Sequence, residues 1–238
     1  MTGIASGAVM SLDMKEAAKG VIKENRRVAK LIGINPSARN TTVKPAGTTS
    51  LVLGTSSGVH AWHNDYYIRR IRVGKGESIY SYLNKNHPEL IEDCYFRPHD
   101  TAIISIPQKA PEGAILRTES PLQTLERVKR INKDWVKTGH VKGPNMHNVS
   151  CTISIRDNEW SDVGDWMWKN RDYYNGISVL PYDGGTYKQA PFEDCSKETY
   201  EAMLASLTKI DLSKIRETED ETTLSGELAC AGGSCEIT

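Results

Sequence analysis

The sequence has no excess of charge of either sign and no long apolar run. Among its 238 residues, 30 lysines and arginines balance 30 aspartates and glutamates, so the formal net charge is zero. Such a balance gives no reason to expect non-specific attraction to nucleic acid or to a membrane surface. Because apolar runs of about 18 residues do not occur, a transmembrane helix is not expected either.

Cysteine is scarce, and the first residues do not resemble a secretory signal. The N-terminal apolar stretch is short, is interrupted by Gly3, Ser6 and Gly7, and lacks a basic start, so a cytoplasmic protein is expected. In a reducing cytosol, the five cysteines are not expected to form structural disulfides. A close pair of cysteines in such a protein is more often catalytic or metal-binding.

Helix and strand patterns alternate over most of the chain. Apolar residues spaced three and four apart predict a helix over 13–32, with Asp13 and Glu16 placed as a capping box. Ser120 and Pro121 are typical of another helix start. The remaining predictions are helices over 121–137, 159–174 and 196–211 and strands over 101–108, 148–155 and 176–182. This alternation predicts a mixed α/β body over residues 1–210.

The segment 211–238 differs from the rest, because it is acidic and poor in large apolar side chains. It is therefore predicted to be a flexible tether. Near its end, four residues separate Cys230 from Cys235, and Gly232 and Gly233 between them permit a small disulfide ring. A coil of about 28 residues spans roughly 30 Å. Such a dithiol is suited to exchange disulfides at a buried site and then meet a soluble reductant.

Two other interpretations of the cysteine pair stay open from the residues alone. The pair is also consistent with a frayed terminus that carries incidental cysteines. Metal binding is less favoured, because two thiolates without a nearby third or fourth ligand do not complete a zinc site.

The string "KPAGTTS" has the composition of a phosphate-binding turn. Proline ends the preceding strand, glycine permits a tight turn, and three hydroxyl residues follow. If a helix begins there, its free N–H groups point into the turn and form an anion site. No Gly-Lys-Ser/Thr follows, so the string is not a Walker P-loop, and a purely structural turn explains it equally well. The candidate residues are Pro45, Ala46, Gly47, Thr48, Thr49 and Ser50.

The string "GVHAWHNDYYIRR" gathers aromatic and basic residues beside that turn. They fit a nucleotide pocket, although core packing accounts for Trp62 and Ile68 equally well. His60 and His63 lack a nearby carboxylate or thiol, so a metal site is not favoured.

The other three cysteines are given structural interpretations. Cys94 and Cys151 lie in apolar contexts and are expected to be buried and inert. Cys195 precedes a predicted helix start, where a helix dipole can lower the pKa of a thiol, but a functional role for Cys195 is not favoured.

Four stretches together carry a resemblance to a known family: "TTVKPAGTTSLVLGTSSGVHAWHNDYYIRRIRV", "NMHNVSCTISI", "GISVLPYDGGTYKQAPFE" and "ELACAGGSCEIT". They resemble the C-terminal part of adenosylcobalamin-dependent (class II) ribonucleotide reductases. "LPYDGGTYKQAPFE" is most similar to the monomeric branch that reduces ribonucleoside triphosphates. The similarity runs in the expected order from about residue 15 to the last residue.

The resemblance implies an α/β fold, namely the C-terminal part of a ten-stranded α/β barrel followed by a flexible redox-active tail. In this family, adenosylcobalamin generates a cysteine thiyl radical, which abstracts a ribose 3′ hydrogen before the 2′ hydroxyl is removed. A barrel cysteine pair supplies the electrons, and the tail cysteines, reduced by thioredoxin, restore that pair. Carried over, Cys230 and Cys235 are the shuttle pair, and Pro45–Ser50 is the loop that binds the substrate phosphates.

One departure from the family is large. The radical cysteine, with its asparagine and glutamate neighbours, is expected in the part of the barrel that precedes this sequence, and the chain has no Asn-x-Cys-x-Glu string. Cys94, Cys151 and Cys195 do not match the family's catalytic positions. The resemblance therefore implies either a separately encoded N-terminal half as a partner or a longer gene product, and no reductase activity without that half.

Two alternatives are weighed against this interpretation. The large subunit of the iron-dependent (class I) enzymes also carries a Cys-x4-Cys tail, but a tyrosine pair precedes that tail, whereas Tyr173 and Tyr174 lie far upstream here. A non-enzymatic module for thiol transfer or metal handling would use the tail alone.

Overall fold

The computed structural model describes residues 1–182, 184 and 187–216, which form two compact units. The first unit joins Met1–Trp62 to Pro111–Tyr182, and the second joins His63–Ala110 to the described residues after 182. Helices and strands occur in both, so the predicted α/β class is confirmed. The predicted tail lies outside the described residues from position 217 onward, and its boundary at 211 stays a prediction.

The described residues contain helices α1–α6 and strands β1–β6 in both units. The helices are α1 (Met14–Ile32), α2 (Gly47–Val52), α3 (Ser78–Asn86), α4 (Pro121–Ile131), α5 (Trp160–Lys169) and α6 (Lys197–Ser206). The strands are β1 (Tyr66–Gly74), β2 (Ile91–Asp93), β3 (Thr101–Lys109), β4 (Thr152–Ile155), β5 (Ser178–Pro181) and β6 (Phe192–Asp194). Within the described residues, no helix combines the length and the apolar character needed to cross a bilayer.

Local signals set both ends of α1 and the start of α4. At the start of α1, the Asp13 carboxylate accepts from the amides of Lys15 and Glu16, and Gly33 ends the helix with a left-handed backbone (φ 73°). At the start of α4, Ser120 forms the full capping box with Gln123. α4 continues as a π-helical turn over Asn132–Val136, which accounts for the predicted end near 137.

The first unit is built on parallel pairing. β4 and β5 pair in parallel, and α5 lies between them in sequence, which forms a β-α-β unit. A further parallel bridge joins Val43 to Val149, so the residues before the predicted phosphate turn lie beside the start of β4. The buried side chains of this core come from several parts of the unit, and they include Ile4, Val43, Leu125, Val128, Ile131, Val149, Ile153 and Ile155.

The second unit is built on antiparallel pairing. Its sheet has the order β2-β3-β1-β6, and β1 pairs with β3 along its full length, from Tyr66 opposite Lys109 to Gly74 opposite Thr101. Its apolar core contains Val73, Leu83, Leu90, Ala102 and Ile104.

We expect Gly139→Ala to destabilise the first unit, because a Cβ at position 139 would overlap the side chain of Thr41. The buried Thr41 hydroxyl donates to the Trp135 carbonyl (2.7 Å), and that bond would be lost or distorted. Overpacking and a lost buried hydrogen bond together lower the free energy of unfolding by about 2 kcal/mol or more. Urea denaturation measures the change.

Gly20→Ala is the matched control. Gly20 lies exposed inside α1, and a Cβ there would meet nothing within 4 Å. Alanine should raise the free energy of unfolding by about 0.5–1 kcal/mol, since glycine weakens a helix interior. Equal effects of the two substitutions would contradict the packing of Gly139 on Thr41.

Candidate functional site

A helix begins inside the predicted phosphate turn, and this meets the condition for an anion site there. α2 starts at Gly47, and the residue before it, Ala46, has a non-helical backbone (φ −116°, ψ 86°) and no side chain that can cap the helix. The Ala46 carbonyl accepts from the amide of Ser50 (2.9 Å), which closes the first turn. The first amides of a helix have no partner within it, so they are available to an external acceptor such as a phosphate oxygen.

The hydroxyl residues of the turn differ in their surroundings. Ser50 is buried, and its hydroxyl donates to the Gly47 carbonyl (3.0 Å), so it stabilises the turn internally. Thr49 is exposed. The main chain at the start of α2 is therefore the better-placed donor for an anion than the Ser50 hydroxyl.

A second segment, residues 55–58, lies directly behind the turn. The amide of Thr55 donates to the Ser50 carbonyl (2.9 Å). Gly58 has a left-handed backbone (φ 60°), and a Cβ there would lie 3.2 Å from the Lys44 carbonyl and from the main chain of Pro45. Only glycine permits both this conformation and this close approach. Residues 55–58 are called the backing segment below.

His60 connects the backing segment to β4. Its Nδ1 lies 2.9 Å from the Ser57 carbonyl, and its Nε2 lies 3.0 Å from the amide nitrogen of Thr152. An amide can only donate, so Nε2 accepts and the proton of the neutral ring is on Nδ1, which donates to Ser57. Burial, and the nearby positive charge of Arg127, lower the pKa of His60. With both ring nitrogens engaged, His60 has a structural role and is not a metal ligand.

The aromatic and basic residues after Trp62 belong to the second unit, where they pack against one another. Tyr67 and Arg69 are buried on β1, and burial raises the pKa of Tyr67 to about 12. The Arg69 guanidinium lies 4.2 Å from the centre of the Phe192 ring. The His63 ring stacks on Phe192 with ring centres 5.3 Å apart, and its Nε2 lies 3.1 Å from Asp194. The side chains of Arg69 and His63 therefore contact residues of strand β6 in this same chain.

Two of the cysteines that the structure describes, Cys151 and Cys195, are not activated thiols. Cys94 and Cys151 are buried, as predicted, and burial raises the pKa of Cys151 to about 12. Burial and the carboxylates of Asp194 and Glu193 raise the pKa of Cys195, so the helix start at Ser196 does not activate this thiol. The predicted shuttle cysteines at positions 230 and 235 lie outside the described residues.

Metal-binding geometry is absent from the part of the chain that the structure describes. Within it, no three histidine, cysteine or acidic side chains are grouped so as to hold an ion.

Two open cavities of about 210 and 410 Å³ lie along α1, and Ile22 and Arg26 line both.

The chain is similar in sequence and in structure to one group of enzymes. No protein-family model matches it. Curated relatives named adenosylcobalamin-dependent ribonucleoside-triphosphate reductase are 29% identical over 228 residues in Lactobacillus acidophilus and 30% identical over 227 residues in Lactobacillus delbrueckii subsp. bulgaricus. The relative from Levilactobacillus brevis is 26% identical over 229 residues. Each alignment covers 92% of this chain but 29% of the relative.

A solved structure agrees with these relatives. The crystal structure of a B12-dependent (class II) ribonucleotide reductase superposes with a TM-score of 0.72 and 27% identity, over 85% of this chain and 27% of that chain. The resemblance identified from the sequence is confirmed, and it concerns the C-terminal portion of these enzymes. The chain spans less than a third of the length of the relatives it matches.

We expect the stability of the first unit to fall in acid because of His60. Since the folded state lowers the pKa of His60 below its ordinary value of 6.5, the unfolded chain binds this proton more tightly. The contribution of His60 to the free energy of unfolding is therefore complete above pH 6.5, and it decreases as the pH falls from 6.5 to the lowered pKa. Urea denaturation between pH 5 and 8 measures this dependence.

His60→Ala should remove that part of the pH dependence and lower the free energy of unfolding at pH 7.5 by about 1–3 kcal/mol, because the Thr152 amide loses its acceptor. His99→Ala, at an exposed position of the second unit, is the control and should leave both quantities unchanged. A pH dependence that survives in His60→Ala would contradict the assignment.

Proposed function

We propose that this chain is the C-terminal portion of a ribonucleotide reductase that converts ribonucleoside triphosphates to 2′-deoxyribonucleotides by thiyl-radical chemistry. The observation that carries the proposal is the similarity to ribonucleoside-triphosphate reductases over nine-tenths of the chain. The similarity favours the class II enzymes over the class I large subunit, and an enzyme over a module that only transfers thiols. The product would serve DNA precursor synthesis in the cytoplasm.

Pro45–Ser50 is the proposed binding site for the substrate phosphates. Three features support this role: α2 begins within the turn, its first amides have no partner inside the helix, and Gly58 supports Pro45 from behind. The site closely follows Val43, which is paired in parallel with Val149. Ligands of α/β proteins commonly bind beyond the carboxyl ends of parallel-paired segments. A triphosphate bound there would accept main-chain hydrogen bonds, which require no particular side chain.

Cys230 and Cys235 are the proposed redox shuttle. One tail thiolate attacks the disulfide that substrate reduction leaves in the barrel, and a mixed disulfide forms. The second tail thiol displaces the barrel thiol, so two electrons move to the barrel pair and the tail becomes a disulfide. Thioredoxin, or a similar dithiol reductant, then reduces the tail by the same exchange. The high pKa of Cys151 makes it unsuitable as the attacking thiol.

Adenosylcobalamin is the proposed cofactor of the complete enzyme, and the described residues do not fit it by themselves. The two cavities along α1 are open and small for a corrin, and no group of metal-ligating side chains occurs in the described segments. No step is therefore assigned to residues of this chain through the cofactor.

The proposed protein partner is the remainder of a reductase, which would supply the radical cysteine that this sequence lacks. Next to the phosphate turn, apolar side chains are exposed at Leu51, Val52 and Leu53, and Val52 is 86% exposed. Among the described residues β5 pairs with β4 alone, and Leu180 on β5 is exposed. Open strand edges and exposed apolar groups are features that an additional polypeptide would cover.

The proposal is tested by mixing this chain with a polypeptide that carries the first part of a related reductase. With adenosylcobalamin, a ribonucleoside triphosphate and thioredoxin, the mixture should form deoxynucleotide, and this chain alone should form none. Cys230→Ser or Cys235→Ser should stop multiple turnover and leave a single round of reduction, because the tail only restores the barrel pair. Cys195→Ser is the control and should behave as the parent chain. A pre-reduced mixture of the tail variants that forms no product in one round would contradict the shuttle role.

Gly47→Val should raise the KM for the ribonucleoside triphosphate far more than it changes the rate of thiol exchange. A β-branched side chain at the first residue of α2 obstructs the approach of a phosphate to the main chain. Gly164→Val, at an exposed position of α5 where a Cβ meets nothing within 4 Å, is the matched control. If Gly47→Val binds the nucleotide as tightly as the parent chain, the turn has only a structural role and the proposed phosphate site is wrong.

A further inference from the structure

The first residues of the chain pair with the backing segment. The amide of Gly3 donates to the Ser56 carbonyl, and the amide of Ile4 donates to the Gly58 carbonyl, both at 3.0 Å. Gly3 has a left-handed backbone (φ 75°), and a Cβ there would lie 2.6 Å from the Thr55 hydroxyl oxygen. The close approach therefore depends on glycine at position 3.

The Thr2 hydroxyl forms two hydrogen bonds to the backing segment. Its oxygen accepts from the amide of Gly58 (2.7 Å), and its proton is donated to the Ser56 carbonyl (3.2 Å). Because the main chain of Gly58 lies against Pro45, the Thr2 hydroxyl holds the residue that supports the start of the phosphate turn.

The Ser6 hydroxyl holds the other end of the backing segment. It accepts from the amide of Ser56 and from the indole N–H of Trp62, both at 3.1 Å. Both of its lone pairs are then engaged, so its own proton is directed to the Thr55 hydroxyl oxygen at 2.9 Å. The amide of Thr55 in turn donates to the carbonyl of Ser50, the last residue of the phosphate turn.

We propose that the hydroxyl groups of Thr2 and Ser6 are positioning groups for phosphate recognition. They fix the two ends of the backing segment, which keeps the amides at the start of α2 in one arrangement. The inference rests on the proposed phosphate-binding role of Pro45–Ser50 and adds residues that "KPAGTTS" does not contain. Neither hydroxyl contacts the ligand, so their effect is on the affinity for phosphate and is transmitted through Gly58 and Thr55.

The test uses the full chain and titrates it with inorganic tripolyphosphate, followed by the amide NMR signals of residues 46–50. Thr2→Val removes the hydroxyl with little change of shape, and Ser6→Ala removes the other. Each variant should bind tripolyphosphate about tenfold more weakly, because a main-chain amide loses its acceptor and the turn gains freedom. Hydrogen exchange at the amides of Ser56 and Gly58 should become faster in the variant that loses the corresponding acceptor.

Two variants separate positioning from general destabilisation. Thr2→Ser retains the hydroxyl and should bind tripolyphosphate like the parent chain. Ser11→Ala removes a hydroxyl that donates to Ala8 within its own turn, and it should bind normally. If Thr2→Ser or Ser11→Ala weakens tripolyphosphate binding as much as Thr2→Val does, the positioning role is wrong.

The outcomes for the two proposals are distinct. If the parent chain binds tripolyphosphate and Thr2→Val binds it equally well, positioning by Thr2 is wrong and the phosphate turn stands. If the parent chain shows no binding at the turn, the phosphate-binding role fails and the positioning role fails with it. Should Ser6→Ala not fold, the comparison of Thr2→Val with Thr2→Ser decides.

Discussion

The parallel pairing in the first unit is the constraint on which the candidate site depends. Parallel strands need long crossover connections and are normally covered by helices. Here Val43 bridges Val149, β4 pairs with β5, and the apolar side chains of α4 bury this surface. The chain leaves that surface just after Val43, and it enters the proposed phosphate turn at Pro45. The turn therefore closely follows a buried residue that is paired with another part of the unit, which limits the freedom of the turn before any ligand is bound.

Electrostatics within the same unit favour neutral groups behind the site. Arg127 and Glu119 form a buried ion pair, and Arg127 disfavours a second positive charge on His60. His60 stays neutral and joins the backing segment to β4, while the thiol of Cys151 stays protonated because burial raises its pKa. Proton uptake at His60 would convert Nε2 from an acceptor into a donor that faces the N–H of Thr152, which cannot accept a hydrogen bond. The supporting contacts are thus stable near neutral pH, and Cys151 is not a reactive thiolate there.

Local signals made part of this structure predictable, and long-range contacts account for what was missed. The starts of α1 and α4 followed from Asp13 and Ser120, whose capping bonds reach only two or three residues. The strand β1 was not predicted, because its Tyr and Arg residues were interpreted as a pocket; its identity depends on pairing with β3. The role of His60 depends on the amide of Thr152, ninety-two residues later, and spacing along the chain contains no signal for such a contact.

Chain connectivity explains why the candidate site is not a local motif. The first unit is assembled from two separate segments, and residues 63–110 of the second unit lie between them in sequence. The proposed phosphate turn is supported by Thr2 and Ser6 from the start of the chain and by β4 from its later part, through Gly58 and His60. Closing such long loops costs conformational entropy, which only burial of the shared core offsets. The geometry at the start of α2 is consequently a property of the assembled unit, because the isolated string "KPAGTTS" contains neither the backing segment nor the groups that hold it.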